Sequence, residues 1–454
     1  VRSDRNNIRF PPKGWLLATL SILFCLGAAG CGPTPTSVIL ITADTLRADH
    51  LHCYGYFRST SPNIDSLARE GVLFENALTP ITTTLPAHVS LMTGTTPLVH
   101  GIKGNFQLFD IPLETSEGLK TAAQMFQEMG YTTAAFVSAA PVKKATGIAT
   151  GFDTFDEPEG RERTAAEVNE RVFAWLDSAP REPFFLWIHY FDPHWPYKAP
   201  PDFKGKFRRN KKLDAYLKEN KFPEPIPPPT YMMHNSYDRE IKYLDSELGR
   251  LMEKFRSMGW YDETALVFTS DHGEGLGQHM WREHGRIYNE QLFVPLIIKF
   301  PASMGMKGQR RENMTALIDV VPTLVETLEL PVPAQVRDQF EGRNALNDEM
   351  ARDFVFSERT PRERNWESGE KYSLTGKKWK YFLLTDGADE LYCMEKDRAE
   401  TVNVIDQFPE IADHMEREIR AILKDAESRT DGLRKKGAIR AEFEEQLRGL
   451  GYSK

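Results

Sequence analysis

The chain has 454 residues, 57 of them basic and 65 acidic, for a formal net charge of −8; 41% are hydrophobic, with 31 glycines and 29 prolines. Such a composition excludes a collagen, a low-complexity disordered chain and a polytopic membrane protein. The acidic balance argues against a nucleic-acid-binding surface, which needs a basic face, and four cysteines in so long a chain are no disulfide scaffold.

At the start of the chain, Arg2, Arg5, Arg9 and Lys13 precede an apolar run from Trp15 to Leu26, followed by Gly27-Ala28-Ala29-Gly30-Cys31. A basic stretch, a short apolar stretch and small residues read as an export signal over residues 1–30; the run is too short and too weakly flanked for a transmembrane helix. Small residues before Cys31 resemble a bacterial lipobox, with Cys31 as a lipidated first residue, although Ala28 stands where a larger aliphatic residue is usual. The expectation is a cell-envelope protein attached to the membrane by that lipid, with residues 31–37 as a tether; an uncleaved anchor and simple secretion are the alternatives. Without residues 1–30 the balance is 53 basic against 64 acidic residues, a net charge of −11. Cys53 and Cys393 are then expected as two separate buried thiols.

Ser37–Asp44 reads as a buried strand ending in an acid. Leu119–Gly130 reads as an amphipathic helix, Tyr131–Ala139 as a strand, Thr164–Ala179 as a helix and the apolar Pro183–Phe191 as another strand. Phe203–Thr230, charged and then proline-rich, reads as a surface insertion at the rim of the active site, and the substrate-selecting residues are expected there and in the C-terminal part. Apolar positions from Ile241 to Phe255 follow helical spacing, Thr264–Thr269 and Phe293–Phe300 read as strands, and Thr315–Leu328 as a helix. Near-continuous apolar strands alternating with helices predict an α/β fold, a mostly parallel sheet sandwiched by helices. That domain is expected over residues 38–340, with a smaller C-terminal α+β part over 341–454. Within the latter, Lys378–Leu384 is the clear strand, and a charged helix from Pro409 to about Arg448 reads as a solvated face.

Ligands of open parallel sheets bind beyond the carboxyl ends of the strands. Asp44, Asp192 with His194, and Asp271-His272 all fall at such ends, and Thr82–Gly94 reads as a loop entering a helix whose first N–H groups could meet an anionic oxygen. Singly, each acid could be a turn or cap residue, and His279 and His284 could be surface histidines. Together they offer hard oxygen donors and imidazole, a set suited to one divalent cation (Zn, Mn, Ca or Mg). A hydroxyl bound to such a cation becomes a nucleophile at neutral pH.

From Val38 to Asp406, the stretches VILITADTLRADHLHCYGY, TLPAHVSLMTG, HYFDPHWPY, FTSDHGEGLGQH, YNEQLFVPLII, DVVPTL, FEGRNAL and ELYCMEKDRAETVNV together resemble, in order, the sulfatase branch of the alkaline-phosphatase superfamily. The resemblance implies a large α/β domain, a smaller C-terminal subdomain with a short antiparallel sheet and a helix, and metal-dependent cleavage of sulfate or phosphate esters. It makes Asp44, Asp271 and His272 metal ligands, lets His194 contact the ester oxygens, and puts His284 where many sulfatases place a substrate-binding lysine.

The departures from the family pattern point to different chemistry. Sulfatases carry Cys or Ser, then x-Pro-Ser-Arg, and oxidise the first residue to formylglycine; here Thr84-Leu85-Pro86-Ala87-His88 stands in its place. Threonine cannot give formylglycine, and Thr45 replaces the second acid of the usual Asp-Asp pair. The segment is similar to that of nucleotide pyrophosphatase/phosphodiesterases, and the set Asp44, Thr84, Asp271, His272 resembles the single-metal set of phosphoethanolamine transferases. Thr84 is accordingly the expected nucleophile and a fourth metal donor, with His194 and His284 holding oxygens or protonating the leaving group, and His88 orienting the Thr84 loop. Arg47 either lines the pocket or pairs with Asp49. A second metal could draw on Asp192, His194, His279 and His284. The expected activity is hydrolysis of an anionic phosphate ester. The alternatives are a sulfatase working without formylglycine, an envelope head-group transferase and a non-catalytic anchored binding protein.

Overall fold

The first apolar strand serves two cores at once, which is why it contains no outward-facing polar alternation. The computed structural model describes residues 36–105, 119–160, 162–359, 371–385 and 387–430. In it β1 (Val38–Ala43) is wholly buried: Val38 and Leu40 join one apolar cluster, while Ile39 and Ile41, pointing the opposite way, join another. The chain continues through α1 (Pro62–Glu70), β2 (Val72–Leu78), α2 (Thr84–Thr93), α3 (Ala122–Glu128), β3 (Thr132–Phe136) and β4 (Thr154–Asp156). It then forms α4 (Ala165–Asp177), β5 (Phe184–Tyr190), α5 (Lys211–Glu219), α6 (Pro228–Ser257), β6 (Ala265–Ser270), β7 (Leu296–Lys299), β8 (Gln309–Ala316) and α7 (Val320–Thr327). The eight strands form one sheet in the order β4-β3-β5-β1-β6-β7-β2-β8, parallel except for both pairings of β7. Helices α2, α3 and α7 cover one face, and α1, α4 and α6 the other.

β1 pairs in register with β5 on one side and β6 on the other, Ala43 lying level with Tyr190 and Ser270. Whatever follows these three strands therefore emerges side by side at one edge of the sheet. β2 runs in the same direction, so the start of α2 arrives at that edge too.

A second sheet, antiparallel in the order β12-β11-β10-β9, is built from β9 (Phe354–Arg359), β10 (Lys371–Gly376), β11 (Trp379–Leu384) and β12 (Glu390–Cys393). Tyr381 and Leu383 face α8 (Pro409–Thr430), while Phe382 between them packs with Leu78, Met314 and Ile318 of the main domain. The charged C-terminal helix is thus not solvated all round: Ala412, Met415, Ile419 and Ala426 lie buried as a stripe on the sheet, and the charges occupy its other side.

The helix expected from Ile241 starts thirteen residues earlier, at Pro228, and the supposed insertion contains α5, capped by the Asn210 side chain. Thr315, expected in a helix, belongs to β8, an edge strand whose polar sequence QRRENMTA lacks the apolar run that marks the central strands. Cys53 and Cys393 are free, as expected, but half-buried instead of buried. The expected export signal, Cys31 with its lipid and the tail beyond Thr430 lie outside the described residues. Among the described residues, no helix is long and apolar enough to cross a membrane.

Candidate active site

Asp44 leaves β1 as its backbone N–H donates to the Tyr190 carbonyl of β5 at 2.9 Å, so the acid sits between the two strand ends. The next residue, Thr45, adopts φ +57°, a left-handed conformation that a β-branched residue rarely takes. Two crosslinks hold it there. Its N–H donates to Asp271 Oδ1 at 3.1 Å, and its carbonyl accepts from the Tyr237 hydroxyl of α6 at 2.6 Å. The strained turn brings the acids following β1 and β6 together.

Asp44, Asp271 and His272 offer ligand atoms that all lie within 4.8 Å of one another, and all three residues are buried. Asp271 Oδ1 is engaged by the N–H groups of Thr45 and His272. Oδ2 of Asp271 and Oδ1 of Asp44 accept no hydrogen bond. The Nδ1–H of His272 donates to the Gly273 carbonyl at 3.0 Å, which leaves the lone pair on Nε2, 3.4 Å from Asp271 Oδ2. Gly273 has to be glycine, since a Cβ there would stand 2.2 Å from the Glu290 carbonyl oxygen. Burial raises the pKa of Asp44 well above its usual range, and Asp271 and Glu274 push it further. Two buried carboxylates with unsatisfied oxygens beside one imidazole fit a divalent cation.

Thr84 is the first residue of α2 and lines the same cavity of about 690 Å³ as Asp44. His88, one turn along the helix, sits beneath it. Its Nδ1–H donates to the Thr84 carbonyl at 2.8 Å, and its Nε2 accepts from the Thr42 hydroxyl, whose oxygen accepts in turn from Trp187 Nε1, both at 3.1 Å. Burial pushes the His88 pKa down, which favours the neutral imidazole that this chain of hydrogen bonds accommodates. Oδ1 of Asn105, whose side chain also reaches the cavity, accepts from the N–H of Leu85 at 2.9 Å.

His194 and His284 both line the cavity with their rings 5.3 Å apart, and His284 lies 4.5 Å from the His272 ring. His284 Nδ1 is 3.4 Å from Oε1 of Glu274. Burial, with His284 alongside, pushes His194 down to about 4, while burial lifts Glu274 to about 7. Glu274 and His189 are additions to the expected set. His189, buried in β5, holds its Nδ1 2.8 Å from Ser138 Oγ and its Nε2 3.9 Å from Asp44 Oδ2. The one polar residue inside FFLWIHY was the available signal for His189; Glu274, two residues past His272, had none beyond proximity.

Three expectations need correction. The set proposed for a second metal does not assemble, because Asp192 and His279 point elsewhere. His279, at φ +48°, stacks on Tyr288 and bonds Glu290 Oε1 through Nδ1 at 3.1 Å. Asp192 accepts from the N–H of Ala165 at the start of α4 and shares a hydrogen bond with Glu240 of α6. Of the two readings of Arg47, the pair with Asp49 holds and the pocket-lining one fails: it is buried, bonds Asp49 through Nε and Nη2 at 2.8 and 2.7 Å, ties down the Glu274 carbonyl and does not line the cavity. Nor does the Phe203–Thr230 segment supply the rim. The residues there are Asn105, Pro141, Phe191, His194–Tyr197, Met232, Met233 and Ser236 of α6, and Arg282–His284.

The Asp192–Glu240 pair fastens the His194 segment to α4 and α6, since Glu240 also accepts from the N–H groups of Lys198 and Ala199. Burial lifts Asp192 to about 6 and Glu240 to about 9. Each folded-state value lies above the ordinary one, so this contribution is complete at about pH 4 and is lost as pH rises toward 9. Glu240→Gln, which keeps the hydrogen bond without a titrating proton, is expected to flatten the fall in urea midpoint between pH 5 and 9. An unchanged pH slope would show that the two carboxyls share no proton.

A model of the sulfatase family matches residues 36–330, and a model described as N-sulphoglucosamine sulphohydrolase, C-terminal, matches residues 277–425. An arylsulfatase of Clostridium perfringens is 24% identical over 484 residues, covering 87% of this chain and 95% of the relative. A multifunctional alkaline phosphatase superfamily protein of Trinickia caryophylli is 27% identical over 388 residues, covering 65% and 74%. The crystal structure of a phosphonate monoester hydrolase of Agrobacterium radiobacter has a TM-score of 0.68 at 19% identity, covering 86% of this chain and 96% of that one; at this identity the likeness speaks for the fold alone.

Proposed function

The chain belongs to the sulfatase family and is a hydrolase, and from that premise we propose that it cleaves phosphate esters with Thr84 as the nucleophile. The observation that carries this reading is the position of Thr84, at the start of α2 and in one cavity with Asp44. A threonine there changes the chemistry available. A phosphothreonine can be opened by water, whereas a sulfothreonine lacks the aldehyde hydrate by which formylglycine expels sulfate.

Asp44, Asp271 and His272 would hold a divalent cation, with Thr84 as a further oxygen donor. Such a cation, when bound, acidifies a hydroxyl and neutralises charge on the transferring group. Thr84 Oγ1 gives up its proton to water and forms the new bond to phosphorus as the bond to the leaving alcohol breaks, and a second water then cleaves the phosphothreonine, releasing phosphate and restoring the hydroxyl. His88, kept neutral, fixes the first turn of α2 so that the hydroxyl is presented at the cavity floor. His194, whose Nδ1–H donates to the Trp195 carbonyl, lines the cavity and donates from Nε2 to a non-bridging oxygen as the imidazolium, the form that an anionic ester stabilises. His284, with Glu274 at 3.4 Å, is placed to hand a proton to the leaving alkoxide.

A second reading, sulfate-ester hydrolysis without formylglycine, is favoured by the resemblance to the Clostridium perfringens arylsulfatase. Purified protein assayed on an aryl phosphate, a bis-aryl phosphate and an aryl sulfate separates the two. Phosphate turnover is expected to lead, with about one divalent cation per chain by elemental analysis. Dominant sulfate turnover would replace the first reading by the second.

A further inference from the structure

The cavity that contains Thr84 has an apolar mouth. Large apolar side chains are rarely exposed among the described residues: Trp195, Met232, Met280, Met304, Met350 and Val402. Single exposed residues of this kind need no explanation. Two of them, however, converge on this cavity from separate elements: Trp195, 65% exposed, from the segment after β5, and Met232, 69% exposed, from the first turns of α6. Phe191 and Pro196 extend the same wall. An apolar surface gathered at the entrance to a polar site is where a ligand's apolar part leaves water.

The position of the wall decides which part of a ligand it meets. Trp195 directly follows His194, and its carbonyl bonds His194 Nδ1. The wall therefore begins beside His194, whose ring lies 5.3 Å from that of His284, the residue placed to protonate the leaving alkoxide, and runs outward from there. A sugar in that place would need convergent hydrogen-bond partners, since buried hydroxyls left unpaired are costly. The side chains of Phe191, Trp195, Pro196 and Met232 offer one donor between them, the indole N–H.

We propose that Trp195 and Met232 form an apolar subsite for the leaving alcohol of the substrate, an aromatic or alkyl group and not a glycan. The proposal rests on the ester-hydrolysis reading above. Arg282 and Glu283 also line the cavity, so the apolar wall is one part of a mixed entrance and sorts substrates by their alcohol, leaving the reacting group to the floor.

The test compares phosphate esters with one reacting group and matched leaving-group acidity: 2-naphthyl, phenyl, and phenyl carrying a hydroxymethyl group. The wild-type kcat/KM is expected to favour the naphthyl over the hydroxymethyl ester by about tenfold, the ratio that burial of roughly 50 Å² of apolar surface supports. In the double variant Trp195→Ala/Met232→Ala that ratio falls toward one, and Met232→Gln alone, of nearly the same length, moves it the same way. A ratio unchanged in both variants overturns the subsite. A protein that turns over none of these esters refutes the phosphate-ester reading separately. Calorimetry with 2-naphthyl phosphate against inorganic phosphate then decides the subsite: about tenfold tighter naphthyl binding that the double variant loses supports it, and equal affinities overturn it.

Discussion

Replacing Thr84 with alanine is expected to lower phosphodiester turnover by about 10⁴-fold or more, the scale on which a nucleophile's removal is felt when the rest of its site survives. The variant should fold, because the change deletes a hydroxyl and a methyl group at the edge of a cavity. The N-cap residue of α2 is Thr83, whose side chain makes no capping hydrogen bond, and the first turn is held by backbone and by His88 instead. Circular dichroism and a urea midpoint near the wild-type value would establish that. Thr84→Ser, which keeps the oxygen but loses the χ1 restriction of a β-branched residue, should recover a measurable part of the rate. Substantial activity in a folded Thr84→Ala protein would end the nucleophile assignment, whatever the substrate proves to be.

Asp44→Asn is expected to cost about 10³-fold in rate, corresponding to roughly 4 kcal/mol of lost charge stabilisation. It should also take the bound metal below one per chain by elemental analysis. The informative comparison is stability. Asp44 and Asp271 are buried with carboxylate oxygens that accept no hydrogen bond, and Glu274 adds a third acid nearby. With its pKa raised above the ordinary value, Asp44 in metal-free protein contributes stability at acid pH that is lost as pH rises. Chelator-treated wild type should therefore melt lower at pH 8 than chelator-treated Asp44→Asn, an order that reverses when the metal is restored, because only wild type gains binding energy. A variant that keeps its metal, or a chelator that leaves wild-type melting unmoved, would refute the ligand assignment.

The strands were legible where they are buried on both sides. β1, β5 and β6 are continuous apolar runs because each face supports a separate cluster, and that property is written locally. The edge strand β8, the antiparallel β9 and β10, and the short helix α5 were not, since alternating or mixed polarity there depends on a neighbour the sequence does not identify.

The amino-acid sequence by itself determined the fold class, the strand ends at which Asp44, Asp271 and His272 stand, and the presence of threonine where the family carries a residue that can become formylglycine. The first two follow from residue type and from periodicity along one segment, and the third from the resemblance to the family's motif. Which acids and histidines share a site was decided by tertiary structure alone. Asp192 and Asp44 both follow apolar strands, yet one pairs with Glu240 and caps α4 while the other faces Asp271. His279 and His284 are five residues apart, yet a left-handed turn at His279 sends it to Glu290 and leaves His284 beside Glu274. The apolar mouth formed by Trp195 and Met232 belongs to the same category. Side-chain direction at such positions is set by backbone angles and by partners far along the chain, and neither is encoded in the local pattern that reveals a strand.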